Sequence, residues 1–467
     1  MKAEEKPGFL VRSGLALAAS SERWFPDPLV FAFLGVVVVF GLGVLAGERP
    51  GNLAIQGGKA FWSLVPFTMQ MVMIIIGGYV VASAPLARRA IEALARLPRS
   101  PRGAVAWVAL VSMLTSLVSW GLSLVFSGLY VRALARRMKG LDYRAAGAAG
   151  YLGVGAVWAM GLSSSAAMMM ATKSAIPPSL YRISGLIPLT ETLFLWPSLV
   201  TTVILIVASV LLAWASVPPP ASARTAESFG VNLDDEEPVE TPGTSTRPAD
   251  RLDESRILPS LVVALLVVYL VDLFRSSPTG ALAALDLGTY NLIFLTAGLA
   301  LHGSPRRFAA AVARCVPATA GVLIQYPFYA VVFGMIVGTS LADRLAKLFV
   351  AVSTPGSYPV LVALYSTMLG AVIPSAGSRW VIEAPYVLEA ANVHHVHLGW
   401  VVQIYNASEA LPNLVNPFWM LPLLGILKLK ARDLVGYSVL QLVVHVPLVY
   451  GLCWLFARSI PWVAPTP

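Results

Sequence analysis

The chain has 467 residues, 57% of them hydrophobic and 12% charged, with a formal net charge of +9. Soluble domains run at about 45–50% apolar and 25% charged residues, so this composition excludes an ordinary soluble domain. Its apolar runs reach about 18 residues and are continuous rather than alternating, which excludes a β-barrel and indicates a polytopic helical membrane protein.

From the N-terminus, the stretch before Trp24 has too short an apolar core for a signal peptide, and Glu4 and Glu5 sit where basic residues belong. It is read as an amphipathic interfacial helix. Spans follow near 28–46 and 61–85. A basic loop then carries Arg88, Arg89, Arg96, Arg99 and Arg102, and a second carries Arg132, Arg136, Arg137, Lys139 and Arg144. Both loops read as cytoplasmic, so the apolar segment 104–131 must enter and return on one side. Two arms of about 14 residues reach roughly 21 Å, short of a hydrocarbon core of about 30 Å. Residues 104–131 are therefore expected to form a re-entrant hairpin with its tip at Ser119–Ser123. A broken helix over 145–171 crosses outward, its polar break in Gly161–Met170, and 191–216 returns.

Residues 222–256 hold nine acids and four arginines, leaving +14 on the remainder. Such a surplus on a membrane protein marks cytoplasmic loops and gives no support to nucleic-acid binding. The segment 217–256 has the composition of a disordered acidic linker. It separates a first half, 1–216, from a second, 257–467. The second half reads as the first turned upside down: spans near 257–274, 288–303 and 313–338, then a hairpin over 358–391 broken at Pro374–Ser378. The flanks of this hairpin lack Lys and Arg, so it dips from the outer face. A broken helix over 399–425 follows, with a polar break at Asn406–Pro417, and a last span covers 434–458. The expected fold class is an all-α polytopic membrane protein of two inverted-topology repeats, each with a re-entrant hairpin and a broken transmembrane helix. Secondary transporters are built this way and bind substrate at the midplane, where broken ends meet.

Non-helical backbone at membrane depth is tolerated only where it is buried or lines a wet cavity, so the breaks locate the candidate site. Ser119 and Ser123 at the first tip, with Ser163, Ser164 and Ser165 at the neighbouring break, are candidate oxygen ligands for Na⁺. Trp120 and Gly121 share that tip, and Gly121 is expected to permit its turn. At the second tip Ser375, Gly377, Ser378 and Arg379 face Asn406, Ser408, Glu409 and Asn413. Of these, Trp120, Gly121, Ser164, Ser375, Gly377, Ser378, Arg379 and Asn413 are assigned to substrate. Ser119, Ser123, Ser163, Ser165, Asn406, Ser408 and Glu409 are assigned to the coupling ion. Serine also packs well between membrane helices. Arg379 and Glu383, four apart, could instead pair structurally. For Glu409, proton carrier, cation ligand and partner of Arg379 stay open. The histidines at 394, 395 and 397, the methionines at 168–170, and Cys315 and Cys453 read as packing. No phosphate loop, HExxH, GxSxG or CxxC motif occurs. No cofactor is expected beyond Na⁺ as a candidate coupling ion, and neither an intramembrane enzyme nor a small-anion channel is favoured over a transporter.

The stretches RWFPDPLVFAFL, FWSLVPFTMQMVMIII, RLDESRIL, IQYPFYA, IPSAGSRWVIEAPYV, NPFWMLPLLGI and RDLVGY, spread from Arg23 to Tyr437, resemble the bacterial short-chain fatty acid uptake family. The resemblance implies a place in the cytoplasmic membrane and uptake of small monocarboxylates such as acetoacetate or butyrate. It also implies a homodimer in lipid and the elevator movement of a wider ion-transporter superfamily. The chain departs from the family where PSGGGHW is expected at the second tip: Arg379 replaces a histidine, and Glu383 replaces a glutamine. That departure points to a different small carboxylate.

Overall fold

The computed structural model of the protein describes residues 28–219, 222–233, 248–277, 281–372 and 376–465. The expected N-terminal interfacial helix, part of the linker, and Pro374 and Ser375 of the second tip lie outside the described residues. Among the described residues all regular structure is helical. In the first half, α1 (Pro28–Leu45), α2 (Pro50–Ala60), α3 (Val65–Ser83) and α4 (Pro85–Leu94) precede two helices joined end to end, α5 (Pro101–Val118) and α6 (Trp120–Arg137). Then α7 (Tyr143–Leu152) runs on through a π turn at Gly153–Val157 and a 3-10 turn at Trp158–Met160. The chain breaks at 161–164 and resumes as α8 (Ser165–Met170), followed by α9 (Pro178–Ser184) and α10 (Trp196–Ala215).

The second half contains α11 (Pro248–Asp253), α12 (Ile257–Ser276), α13 (Leu287–His302), α14 (Pro305–Cys315), α15 (Ala320–Val337) and α16 (Leu341–Val352). It closes with α17 (Tyr358–Val372), α18 (Ala376–His394), α19 (Leu398–Asn413), α20 (Pro417–Leu427) and α21 (Ala431–Ala457). Prolines in the first turns of α2, α4, α5, α9 and α14 cost no hydrogen bond there. Ser100, Asp142, Asp286 and Ser304 cap α5, α7, α13 and α14 through their side chains.

Among the described residues, seven helical stretches are long and apolar enough to cross a membrane, and the protein is a multi-pass membrane protein. Their burial separates centre from periphery. The 143–170 stretch is 89% buried, whereas the stretch that includes α12 is 6% buried and exposes Leu261, Leu265 and Val268. The broken helix α7–α8 is thus the interior of the bundle. It packs against α5, α6 and α19.

Three expectations meet a different structure. Helices α5 and α6 have 18 residues each, about 27 Å, because helix continues beyond the apolar stretch into Pro101–Gly103 and Arg132–Arg137. Their turn is the single residue Ser119, extended at φ −155°, ψ 120°. Gly121 therefore lies within the first turn of α6 and not at the bend. Residues 406–413 are helical, and the second break is confined to 414–416. Polar side chains do not by themselves interrupt a helix when they can be buried against partners.

Part of the expected linker is also ordered. Residues 226–229 form a 3-10 turn, with Ala226 and Val231 buried. The Arg132 guanidinium donates to the carbonyls of Asn232 (3.0 Å), Leu233 (3.3 Å) and Ile426 (3.3 Å). Asp142 accepts from the Arg224 N–H at 3.0 Å. This stretch is held by the end of α6 and the start of α7, and Arg132 links it to the end of α20. Residues 248–253 of the same expected linker form α11, where Asp250 pairs with Arg306 at 2.8 Å.

Candidate functional site

Two groups of buried polar residues lie where the helical breaks meet. The first is built around Ser119. Its hydroxyl accepts from the Leu122 N–H at 3.4 Å and caps α6. The Ser163 hydroxyl accepts from the Trp120 N–H at 2.8 Å and donates to the Ser116 carbonyl at 2.6 Å. Ser163 thereby joins the α5–α6 turn to the break after Met160. Ser123 donates to the Ser112 carbonyl at 2.7 Å. A Cβ at position 153 would lie 2.3 Å from that carbonyl and 2.5 Å from the Ser123 hydroxyl. Only glycine at 153 lets α7 approach this closely.

Ser164 caps α8, accepting from the Ala167 N–H at 3.0 Å, and donates to Asn406 Oδ1 at 2.9 Å. That bond connects the first group to the second. Ser165 is buried beside it. The structure therefore brings Ser119, Trp120, Ser123, Ser163, Ser164 and Ser165 together. Ser123 and Ser163 already bond backbone groups across the turn and the break, and Ser119 and Ser164 cap helices. Each retains acceptor capacity, so a hard cation fits only as an additional partner. Among the described residues no cluster of three His, Cys, Asp or Glu side chains forms a metal site.

The second group surrounds Arg379, in the first turn of α18. Arg379, Glu383, Ser378, Ser408 and Glu409 are all 0% exposed. The Arg379 guanidinium forms an ion pair with Glu409 of α19. Glu383 accepts from the Ser366 hydroxyl of α17 at 3.1 Å. Of the two partners left open for Arg379, Glu383 one turn away and Glu409 on another helix, the guanidinium takes Glu409, because α18 packs against α19. Gly377 faces Phe67 and the Tyr326 hydroxyl, and the Tyr405 hydroxyl donates to the Ala376 carbonyl. Tyr151 donates to the Asn413 carbonyl at 2.6 Å. Trp120 touches the cluster of Trp158, Ala159, Ala376 and Ala410, which joins the α5–α6 turn to the start of α18.

A buried polar atom without a partner marks a place where a ligand can be received. Such atoms collect on α18 and α19: Glu383 Oε1, Glu409 Oε1, Asn406 Nδ2, Asn413 Oδ1 and both amide atoms of Gln403. Ser366, Gln403 and Tyr405 belong to this site and escaped the sequence reading. Their signal was a polar side chain in a continuous apolar helix. Gly370 escaped it too. A Cβ there would lie 2.2 Å from Arg379 Nη1, so this glycine makes the slot for the guanidinium.

Comparison with known proteins extends this geometry. The chain is 32% identical over 421 residues to a protein of Escherichia coli (strain K12) provisionally named a short-chain fatty acid transporter, covering 90% of this chain and 94% of that one. It is 30% identical over 447 residues to a Haemophilus influenzae protein of the same provisional name, covering 93% and 97%. Among solved structures, the Alcanivorax borkumensis YdaH transporter superposes with a TM-score of 0.61 at 16% identity, covering 93% of this chain and 98% of that one. Neisseria gonorrhoeae MtrF, described with a class of antimetabolite efflux pumps, gives 0.57 at 12% identity, covering 98% and 99%. These two likenesses are of fold. The family model for the short chain fatty acid transporter matches residues 9–455, and the chain belongs to the short-chain fatty acid transporter family.

Proposed function

We propose that the protein is a secondary active transporter, and not an enzyme, that takes up short-chain fatty acids or related small monocarboxylates across the bacterial cytoplasmic membrane. A Na⁺ or H⁺ gradient drives it. The observation that carries this reading is the buried Arg379, placed at the start of a helix among unpartnered polar atoms. A carboxylate must shed its water to cross. A guanidinium stays protonated and grips both carboxylate oxygens, and the N-terminal end of α18 favours the same charge. The relatives' provisional names and the family agree with that substrate class.

A matched order of elements, read as two inverted repeats, supports the same reading. The order α1, α2, α3, α4, the α5–α6 pair, the broken α7–α8 and α10 is matched by α13, α14, α15, α16, the α17–α18 pair, the broken α19–α20 and α21. The extra helix α12 reverses the second set. In this scheme one hairpin opens from each side of the membrane. The hairpins and broken helices move together as an elevator against a scaffold held by a second copy. Ser119, Ser123, Ser163, Ser165, Asn406 and Ser408 would serve a coupling cation, and Trp120, Ser164, Gly377, Ser378 and Asn413 the substrate.

The test is uptake of radiolabelled butyrate by proteoliposomes under an imposed Na⁺ or H⁺ gradient. Accumulation above the outside concentration, lost when the gradient is collapsed, is expected. Passive equilibration that no gradient alters would instead identify a channel.

A further inference from the structure

Arg379, Glu383 and Glu409 place one cation and two carboxylates in a site closed to water. An arriving carboxylate substrate would be a third anion there. Like charges confined to one buried site cannot all ionise, and the guanidinium has no proton to give up. Neutralisation must therefore fall on a carboxylate. Glu409 is the group whose ion pair with Arg379 a substrate has to displace. Glu383 accepts instead from the Ser366 hydroxyl.

The surroundings narrow the assignment further. Of the elements packed against α19, segments 153–157 and 158–160 and helix α8 carry no titratable side chain. Helix α18 brings Arg379, Glu383 and Tyr386, α17 brings Tyr358 and Tyr365, α21 brings Cys453, and Tyr405 lies on α19 itself. Tyr326 of α15 reaches the same cluster. Phenols and a thiol do not exchange protons near neutral pH.

We propose that Glu409 and the substrate carboxylate compete for Arg379, and that Glu409 takes up one proton as substrate binds, so that each carboxylate enters with one proton. The proton passes from solution to the Glu409 carboxylate, which becomes a neutral acid. The guanidinium exchanges one carboxylate for another, and the charge of the site is unchanged. Glu383, one turn further along α18, keeps its hydrogen bond from the Ser366 hydroxyl. This rests on the carboxylate-transporter reading above and selects H⁺ over Na⁺ as the coupling ion.

The experiment uses the purified full chain in detergent, with butyrate as probe. Butyrate binding and proton uptake are measured together, the latter with a pH-indicator dye in weak buffer. About one proton per butyrate is expected near pH 7, with affinity falling about tenfold per pH unit on the alkaline side. Glu409→Gln should bind butyrate with no proton uptake and with an affinity flat in pH. Butyrate binding by the unaltered protein without proton uptake overturns the proposal, whether or not the variant folds. Undiminished uptake in Glu409→Gln also overturns it, because the proton then resides on butyrate or on Glu383. Absence of any butyrate or acetate binding by the folded, unaltered protein is a separate result. It overturns the substrate reading itself, and this proposal with it.

Discussion

Replacing Arg379 with methionine leaves Glu383 and Glu409, both fully buried, without the cation that faces them. Breaking a buried ion pair from one side costs about 3–5 kcal/mol. Glu409→Gln breaks the same pair from the other side, but Arg379 keeps Glu383 nearby. Its cost is that of one charged hydrogen bond, about 1.5–3 kcal/mol. The double variant Arg379→Met/Glu409→Gln removes both charges of the ion pair and leaves Glu383 as the one buried carboxyl of the site. It should be at least about 2 kcal/mol more stable than the two single losses combined would give. At about 2 °C per kcal/mol, Arg379→Met should unfold about 6–10 °C below the unaltered protein, and the double variant should recover much of that loss. The assay is tryptophan fluorescence of detergent-purified protein heated at one fixed rate, for all three variants. Strict additivity would refute the reasoning, since it would mean that Arg379 and Glu409 do not depend on one another.

Butyrate binding by folded Arg379→Ala, measured by calorimetry, should weaken about 10- to 100-fold. Arg379→Lys should recover only part, because it restores charge without the fork. Gly370→Ala pushes a methyl group to 2.2 Å from Arg379 Nη1. It should displace the guanidinium and reduce butyrate affinity while the protein still elutes as a folded species in size-exclusion chromatography. Arg132→Ala removes three carbonyl contacts that hold residues 232–233 and the end of α20. It should expose the 222–233 segment to limited proteolysis, which the unaltered protein should resist. Single cysteines at Arg102 and Arg144, in a background lacking Cys315 and Cys453, should both react with an impermeant maleimide from the cytoplasmic face. Labelling from opposite faces would make α5–α6 a full crossing.

The sequence by itself determined the class, the helical runs and the first of the positions where they fail. Hydropathy is a local property, and a Ser–Gly stretch inside an apolar run is visible without knowing its neighbours. The break at 161–164 and the turn at Ser119 were legible for this reason. Arg379 was equally legible as a charge that needed an explanation. What it pairs with was not. Glu383 is its neighbour along the helix, yet the guanidinium reaches Glu409 on α19, and only the packing of α18 on α19 decides between them. The stretch 406–413 looked like a break because it is polar, but its backbone remains helical. An α-helix satisfies its own N–H and C=O groups, so the side chains are free to line a site. Gly370 had no sequence signature, and Gly153 showed only as part of the small-residue stretch 147–155, whose spacing suits close helix contact. Their role is the space they leave for a guanidinium on α18 and for the Ser112 carbonyl on α5. Such space exists only after distant helices have packed together.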